Sequence, residues 1–288
     1  MSTQTLATDD SARPAATPRK GWTPLRGIAL AVTVALILIG AVNLLSLLMS
    51  KTTTQQLSFP LSGQTLSINV NGGDITVTGG DVSEIEVTQR VHQGIVKPTY
   101  DATSDDSGLH LSADCPWYAA GTCGVDYDVV LPRDAVASLR SGSGDVRVRD
   151  LSGDVTVVAS SGDVILDNIG GTVNVRSSSG DVDVTGAAGD VSVVVSSGDI
   201  DASGLESDRV AIRSSSGDTR VGFTGTPTDI QVTASSGVHV SVPDDGTAYA
   251  VEEHTSSGDG HVSVDTDSDS THTATLRTSS GDLTFDYN

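Results

Sequence analysis

Residues 144–202 repeat every nine residues and decide the fold: GDVRVRDLS GDVTVVASS GDVILDNIG GTVNVRSSS GDVDVTGAA GDVSVVVSS GDIDA. Each block opens with Gly, which Asp follows in six of the seven blocks, and the third and fifth positions are apolar. Alternating apolar and polar residues are typical of a β-strand with one buried face. Gly and Asp at the block boundaries are turn residues. We therefore predict a strand–turn unit of nine residues.

A second, 18-residue period lies over the first. Ser-Ser-Gly-Asp precedes Val164, Val182 and Ile200, whereas the intervening turns have other sequences. The same turn sequence is expected at every second block boundary if one coil contains two strands and two corners. Coils stacked in parallel bury Val and Ile in a thin, continuous core. The predicted fold class is all-β, a parallel β-solenoid over residues 141–288 with about eight coils.

Two other architectures remain open at this stage. An antiparallel meander with four-residue turns would leave a broad Val-rich face that needs a cover. A larger coil, with three strands and three of the repeat units, is also compatible with the sequence. The alternation between two kinds of turn favours two strands per coil over three.

The residues ahead of the regular repeats are less periodic. Gly73-Asp74-Ile75 and Gly80-Asp81-Val82 have the form of degenerate repeat units. We predict that residues 59–140 form a β-rich capping region at the start of the stack, preceded by a juxtamembrane linker over residues 50–58.

The N-terminal segment has a separate pattern. Residues 28–49 contain no charged residue, and as a helix they would be about 33 Å long, enough for a bilayer core of about 30 Å. We predict a single transmembrane helix, with residues 1–27 as a disordered basic cytoplasmic tail and the C-terminal domain outside the cytoplasm. A cleaved signal peptide remains the alternative, although such peptides have shorter apolar regions and a small-residue cleavage site.

The strand repeats resemble those of a known family. Leu131-Pro132, Leu139-Arg140-Ser141 and the Ser-Gly-Asp-Val repeats are similar to the DUF4097 family of adhesin-like proteins, over about residues 60–288. This resemblance implies a β-solenoid exposed on the outer side of a bacterial membrane, after a single membrane span. It implies no catalytic residues.

Asp145, Asp163, Asp181 and Asp199 lie two repeat units apart, so two-strand coils would stack them along one edge at intervals of about 4.8 Å. Stacked carboxylates repel each other, and Ca²⁺ would relieve that repulsion. Alternatively, each carboxylate accepts hydrogen bonds from turn amides and stays solvated. The Gly-Gly-x-Gly-x-Asp unit of calcium β-rolls is not matched. We predict no cofactor and no metal site, and calcium at these four aspartates is the one candidate kept open.

Two further groups of residues in the capping region are candidates for structure or binding. Cys115 and Cys123 enclose a short loop, and outside the cytoplasm we expect them to form a disulfide. Two cysteines without a nearby histidine are too few ligands for a metal site. The aromatic residues that could grip a sugar or a peptide also lie in this region, and they are Tyr100, Trp117, Tyr118 and Tyr127.

Composition narrows the function. A formal charge of −21 argues against nucleic acid as a partner. The six histidines show no metal-ligand spacing, and we interpret Glu252-Glu253-His254 as a solvated loop. We predict no enzyme, but a membrane-anchored, adhesin-like surface module or scaffold that binds an envelope component or a protein ligand. The alternatives are an envelope sensor that uses the solenoid as its ectodomain, and self-association through an open edge strand at Leu283–Tyr287.

Overall fold

The computed structural model describes residues 24–48, 50–60, 65–116, 119 and 123–288. The chain separates into two compact units, Met1–Leu45 and Ser46–Asn288. The described part of the first unit is helix α1, Pro24–Leu48, as far as Leu45. The last three residues of the helix belong to the second unit. The second unit is built almost entirely of β-strands.

Helix α1 covers the predicted segment 28–49 as far as residue 48 and begins four residues earlier. Across the part of the chain that the structure describes, no helix combines the length and the apolar character needed to cross a membrane. The predicted helix is therefore present, but its assignment as a membrane span is not supported. Residues 1–23 of the predicted tail lie outside the described residues. The rest of the predicted tail, residues 24–27, belongs to helix α1.

The strands are short and mostly follow each other after brief turns. In the described residues they are β1 Lys51–Pro60, β2 Thr65–Val70, β3 Ile75–Gly80, β4 Glu84–Gln93, β5 Thr99–Asp105, β6 Gly108–Asp114, β7 Gly124–Pro132, β8 Val136–Ser141, β9 Val146–Leu151, β10 Val155–Ala159, β11 Val164–Ile169, β12 Val173–Ser177, β13 Val182–Ala187, β14 Val191–Val195, β15 Ile200–Leu205, β16 Arg209–Ser214, β17 Thr219–Phe223, β18 Asp229–Ala234, β19 Val238–Val242, β20 Ala250–Thr255, β21 Gly260–Val262, β22 Thr273–Thr278 and β23 Leu283–Tyr287.

The strands form two long sheets, and from β6 onward successive strands alternate between them. One sheet has the order β1-β4-β7-β3-β9-β11-β13-β15-β17-β19-β23-β21, and the other has the order β20-β22-β18-β16-β14-β12-β10-β8-β2-β6-β5. Val164 pairs in parallel with Val146 on one side and Val182 on the other, each two repeat units away along the chain. A coil therefore contains two strands, and the solenoid prediction is confirmed. The antiparallel meander and the three-strand coil are wrong, because both would place different residues beside Val164.

The core lies between the two sheets and consists of rows of identical positions. The predicted inward residues are almost completely buried, and in the regular coils they are Val146, Val148, Val155, Val157, Val164, Leu166, Val173, Val175, Val182, Val184, Val191, Val193, Ile200 and Ala202. A third row runs along the ends of the first sheet's strands, at Leu151, Ile169, Ala187 and Leu205. Each layer contributes a few branched side chains, so stability is shared along the stack.

The two corners of a coil have different backbone conformations. On the corner that leads into β11, Gly162 has φ +100°, and a Cβ there would lie 2.3 Å from the carbonyl oxygen of Gly144 in the neighbouring coil. A side chain is excluded both by the left-handed backbone and by the close approach of the next coil. The corner glycines on the other edge, such as Gly153, lack a positive φ. This difference explains why the turn sequences alternate from one corner to the next.

A second left-handed row was not recognised in the sequence. Asp150, Asn168, Gly186 and Gly204 have φ between +58° and +66° and occupy equivalent positions in successive coils. Asn, Asp and Gly are the residues that tolerate this conformation best. In this row, the Asn168 side chain donates a hydrogen bond to Asp150 Oδ1 at 2.7 Å. The row interrupts the alternation of β9 and its equivalents, and two outward residues precede the inward Leu151.

At the N-terminal end, the order of the coils departs from the order of the chain. The coil formed by β2 and β3 lies between the later coil of β6 and β7 and the regular coil of β8 and β9. Beyond β6 and β7, the sheets end in antiparallel strands, with β4 and β1 on one sheet and β5 on the other. Gly73-Asp74-Ile75 opens β3 as predicted. The prediction for Gly80-Asp81-Val82 is wrong, because β3 ends at Gly80 and the chain then leaves the stack.

The C-terminal end shows the same reversal. β22 and β23 lie between the coil of β18 and β19 and the coil of β20 and β21. Leu283–Phe285 of β23 therefore pairs with Gly260–Val262 on one side, and β23 pairs with β19 on the other. The expectation of an open edge at Leu283–Tyr287 is wrong for Leu283–Phe285, because an earlier segment of the chain covers these three residues.

Candidate functional site

The corner aspartates form a hydrogen-bonded ladder along one edge of the solenoid. Asp145 Oδ1 accepts a hydrogen bond from the Asp163 backbone N–H at 3.1 Å. Asp163 does the same for Asp181 at 3.0 Å, and Asp181 for Asp199 at 2.8 Å. The ladder continues to Asp74 at one end and to Asp218 and Gly237 at the other. Each carboxylate thus satisfies the corner amide of the next coil.

The ladder bears on the calcium prediction. Asp145, Asp163, Asp181 and Asp199 are stacked along one edge, as expected from the period. One oxygen of each carboxylate binds a backbone N–H of the neighbouring coil. In the described ranges, no group of three or more His, Cys, Asp or Glu residues is arranged to hold a metal ion. The geometry supports the alternative interpretation, in which these carboxylates serve the turn amides.

The outer face of the first sheet also carries acidic residues. Asp183 of β13 is in register with Asp201 of β15. Partial burial raises the pKa of Asp183, and repulsion from Asp201, Asp181 and Asp163 raises that pKa further. Arg220 of β17 is in register with Asp201 on its other side, so carboxylate and guanidinium groups share this face.

A disulfide joins Cys115 and Cys123, with a Cα–Cα distance of 6.0 Å. It closes the segment between β6 and β7, which form the outermost parallel coil at the N-terminal end. Trp117 and Tyr118 of the predicted aromatic patch belong to this segment and lie outside the described residues.

An open groove of about 300 Å³ lies on the second sheet at the N-terminal end. Strand β2 contributes Asn69 and the turn after it contributes Asn71, while β5 contributes Tyr100 and Asp101. The remaining lining residues are Thr99, Ser112, Ala113 and Asp114. The Asn71 side-chain amide donates a hydrogen bond to Asp114 Oδ1, which holds both side chains beside the groove. The groove combines an aromatic ring with amide and carboxylate groups.

Of the two described members of the predicted aromatic patch, one is accessible. Tyr100 is 44% exposed and lines the groove. Tyr127 is 1% exposed, and its hydroxyl donates a hydrogen bond to the carbonyl oxygen of Ser112 at 3.3 Å. Burial raises the pKa of Tyr127 to about 12. Tyr127 is therefore a core residue, and its proposed role in gripping a ligand is wrong.

Two serines and one histidine make hydrogen bonds that connect parts of the fold. Ser141 Oγ donates a hydrogen bond to the Gly144 carbonyl, and Ser177 Oγ donates one to the Ser179 carbonyl. His92 Nε2 lies 2.8 Å from Asp126 Oδ2, and the other oxygen of Asp126 accepts the Asp74 N–H at 3.1 Å. His92 therefore ties the antiparallel β4 to the start of the ladder.

Glu252-Glu253-His254 belongs to a strand and not to a loop. It lies in β20, the terminal strand of the second sheet. Glu252 forms an ion pair with Arg277 at 3.8 Å. Glu253 is in register with the buried Leu276, so its side chain is on the inner face of the last coil. A Cβ on Gly260 would lie 2.7 Å from Glu253 Oε1, which places the carboxylate across the end of the core.

Residues 127–286 match the family Toastrack DUF4097. The match covers more than half of the chain, and the chain belongs to this family. The matched residues include the regular coils and the returning strands at the C-terminal end. The family resemblance given by the sequence repeats is confirmed.

The chain is also similar to solved structures named "putative adhesin". The one from Bacteroides fragilis is 16% identical, with a TM-score of 0.46, and the match covers 83% of this chain and 97% of that one. The one from Parabacteroides distasonis is also 16% identical, with a TM-score of 0.43 and the same coverage. No curated protein matches the chain.

The sequence predicts the groove only in part. The aromatic residues of the capping region include Tyr100, but no sequence pattern marks Asn69, Asn71 or Asp114. The available signal was Gly73-Asp74-Ile75, which marks β2 and β3 as a repeat coil. The pairing of β2 with β6, which joins Asn71 to Asp114, connects segments that lie far apart in the chain.

Proposed function

We propose that the protein is a non-enzymatic, adhesin-like surface module that binds an envelope component through the groove beside Tyr100. The observation that carries this proposal is a groove lined by the exposed Tyr100 together with fixed amide and carboxylate groups. The groove lies at one end of a continuous stack of coils. Side chains held on strands of a rigid scaffold keep their geometry better than side chains on long loops.

The chemistry of the groove favours an uncharged or cationic ligand with many hydroxyl or amide groups. The ring of Tyr100 offers an apolar surface with a polar tip. Asn69 and Asn71 supply donors and acceptors, whereas Asp101 and Asp114 supply acceptors. Hydroxyl groups of a glycan fit these partners, and a polyanion would be repelled by the charge of −21.

The disulfide supports a location outside the cytoplasm, because disulfides persist in oxidising compartments. Placement in the cell membrane, with the N-terminus in the cytoplasm, stays a prediction. Cell fractionation combined with protease digestion of intact cells tests it. A chain that is found in the soluble cytoplasmic fraction with reduced Cys115 and Cys123 would contradict it.

Binding of the full chain to envelope polysaccharide and envelope protein fractions tests the function. Tyr100→Ala should weaken binding by about tenfold, which corresponds to the loss of one well-placed aromatic contact. Tyr100→Phe should retain most of the affinity if the ring provides the contact.

Asn174→Ala serves as the matched control, because Asn174 is an outward residue on β12 and lies several coils from the groove. It should bind as the wild type does. Equal affinities of the wild type and Tyr100→Ala, or the absence of binding to either fraction, would contradict the proposal.

A further inference from the structure

Within the described residues the two sheets end in four edge strands, three of which carry features that oppose pairing with another chain. β21 has only three residues, and β20 carries Glu252 and Glu253. β5 carries Asp101 and Asp105 and follows Pro98. Short strands, charged residues and prolines are the usual protection of sheet edges.

The fourth edge strand, β1, lacks this protection along most of its length. It extends over ten residues, KTTTQQLSFP, and Lys51 is its one charged residue. The eight residues from Thr52 to Phe59 are uncharged, and Thr52–Gln56 are exposed. β1 is the terminal strand of the first sheet and pairs with β4 across its full length. Its other edge therefore presents alternate backbone N–H and C=O groups outward.

We propose that β1 pairs antiparallel with β1 of a second copy of this chain, so that the two first sheets join into one continuous sheet. A two-fold axis makes each strand both donor and acceptor of the same hydrogen bonds. With an axis through Gln55, odd-numbered residues of one strand lie opposite odd-numbered residues of the other. Antiparallel pairing requires this match, because only every second residue of an edge strand points its N–H and C=O groups outward.

Electrostatic repulsion between two copies of the chain is weaker at this edge than at other surfaces of the molecule. Each copy has a formal charge of −21, so most contacts between copies bring like charges together. Pairing about Gln55 places Lys51 opposite Phe59 and Thr54 opposite Gln56, and no like charges face each other. At the C-terminal end, Glu253 lies across the core and opposes the stacking of a further coil.

This proposal goes beyond the ligand groove and is independent of it. Sedimentation of the full chain in detergent micelles at about 100 μM, where even a micromolar interface is populated, should show a dimer. Thr54→Lys combined with Gln56→Lys places lysine opposite lysine on both sides of the axis. The double variant should dimerise about tenfold more weakly.

Two further variants separate this interface from other causes of association. Thr54→Glu combined with Gln56→Lys places opposite charges across the axis, and it should restore the dimer. His254→Lys puts the same charge on the edge at the C-terminal end and should leave the dimer unchanged. A monomeric wild type, a dimer affinity in the double-lysine variant equal to that of the wild type, or a double variant with Glu that fails to restore the affinity would overturn the proposal.

Discussion

The middle of the stack and its two ends follow different rules. From β10 to β17 each coil lies beside the coils that precede and follow it in the chain, and neighbours are joined by the aspartate ladder. At both ends the chain reverses this order and places one coil between two others. The middle therefore depends on contacts between neighbouring repeats, whereas the ends depend on segments that occur once in the chain.

The largest contrast is expected between two glycines. Gly162→Ala in the middle should lower the free energy of unfolding by about 3 kcal/mol, because it adds backbone strain and a clash with Gly144 of the next coil. Gly246→Ala, in the loop before β20, has a positive φ but no atom within 4 Å of the new Cβ. It should cost about 1 kcal/mol.

Urea denaturation of both variants measures the difference. A steeper loss for Gly246→Ala would mean that the middle of the stack tolerates separation of its coils. The close stacking at the Gly162 corner would then contribute little to stability.

The next effect is confined to the N-terminal end. Cys115→Ser opens the short loop that the disulfide closes, and it should destabilise that end by about 2.5 kcal/mol through the entropy of the unfolded chain. Because a solenoid can unfold locally, hydrogen exchange should accelerate in β6 and β7 and not in β11 or β13. Uniform acceleration along the stack would show that the ends and the middle unfold as one unit.

The smallest effect concerns charge in the middle. The raised pKa of Asp183 means that the folded state holds this proton more tightly than the unfolded state. The stability that this group contributes is therefore greatest at low pH and falls as the pH rises from about 4 through the raised pKa. Asp183→Asn removes that fall and should stabilise the protein above this range by at most about 0.5 kcal/mol.

Thermal unfolding between about pH 3 and pH 7 measures the effect of Asp183→Asn. Asp244→Asn, at an exposed carboxylate in the loop after β19, is the matched control and should show no such gain. A gain for Asp183→Asn that is largest at the acidic end of this range would contradict the sign of the pKa shift.

Local sequence predicted the regular coils well. The apolar side chains at the third and fifth positions of each block point into the core. The turn residues set the length of each strand. Every coil has the same environment, so the same residue types recur and the period is visible. The left-handed row of Asp150, Asn168, Gly186 and Gly204 also arises because every coil repeats the same backbone conformation. The residue types in this row vary, so its period is not visible in the sequence.

The ends and the groove could not be predicted in the same way. β23 is the last strand of the chain, yet the pairing of Gly260–Val262 covers it, and nothing in residues 283–287 indicates that partner. The groove beside Tyr100 depends on the pairing of β6 with β2 and of β5 with β6 in the second sheet. Tyrosine is a residue type that is common in binding sites, but the position of Tyr127 in β7 places it in the core.

The amino-acid sequence by itself determined the coil: its two strands, its inward valines and its glycine and aspartate corners. These properties depend on residues within one or two repeat units of each other, where the backbone preference of one residue and the burial of the next decide the outcome. The tertiary structure decided the order of the coils at the ends, the strand that is left at each edge and the residues that meet in the groove. These depend on which distant segment closes the stack, because an exposed layer of core is covered by whichever segment buries it best.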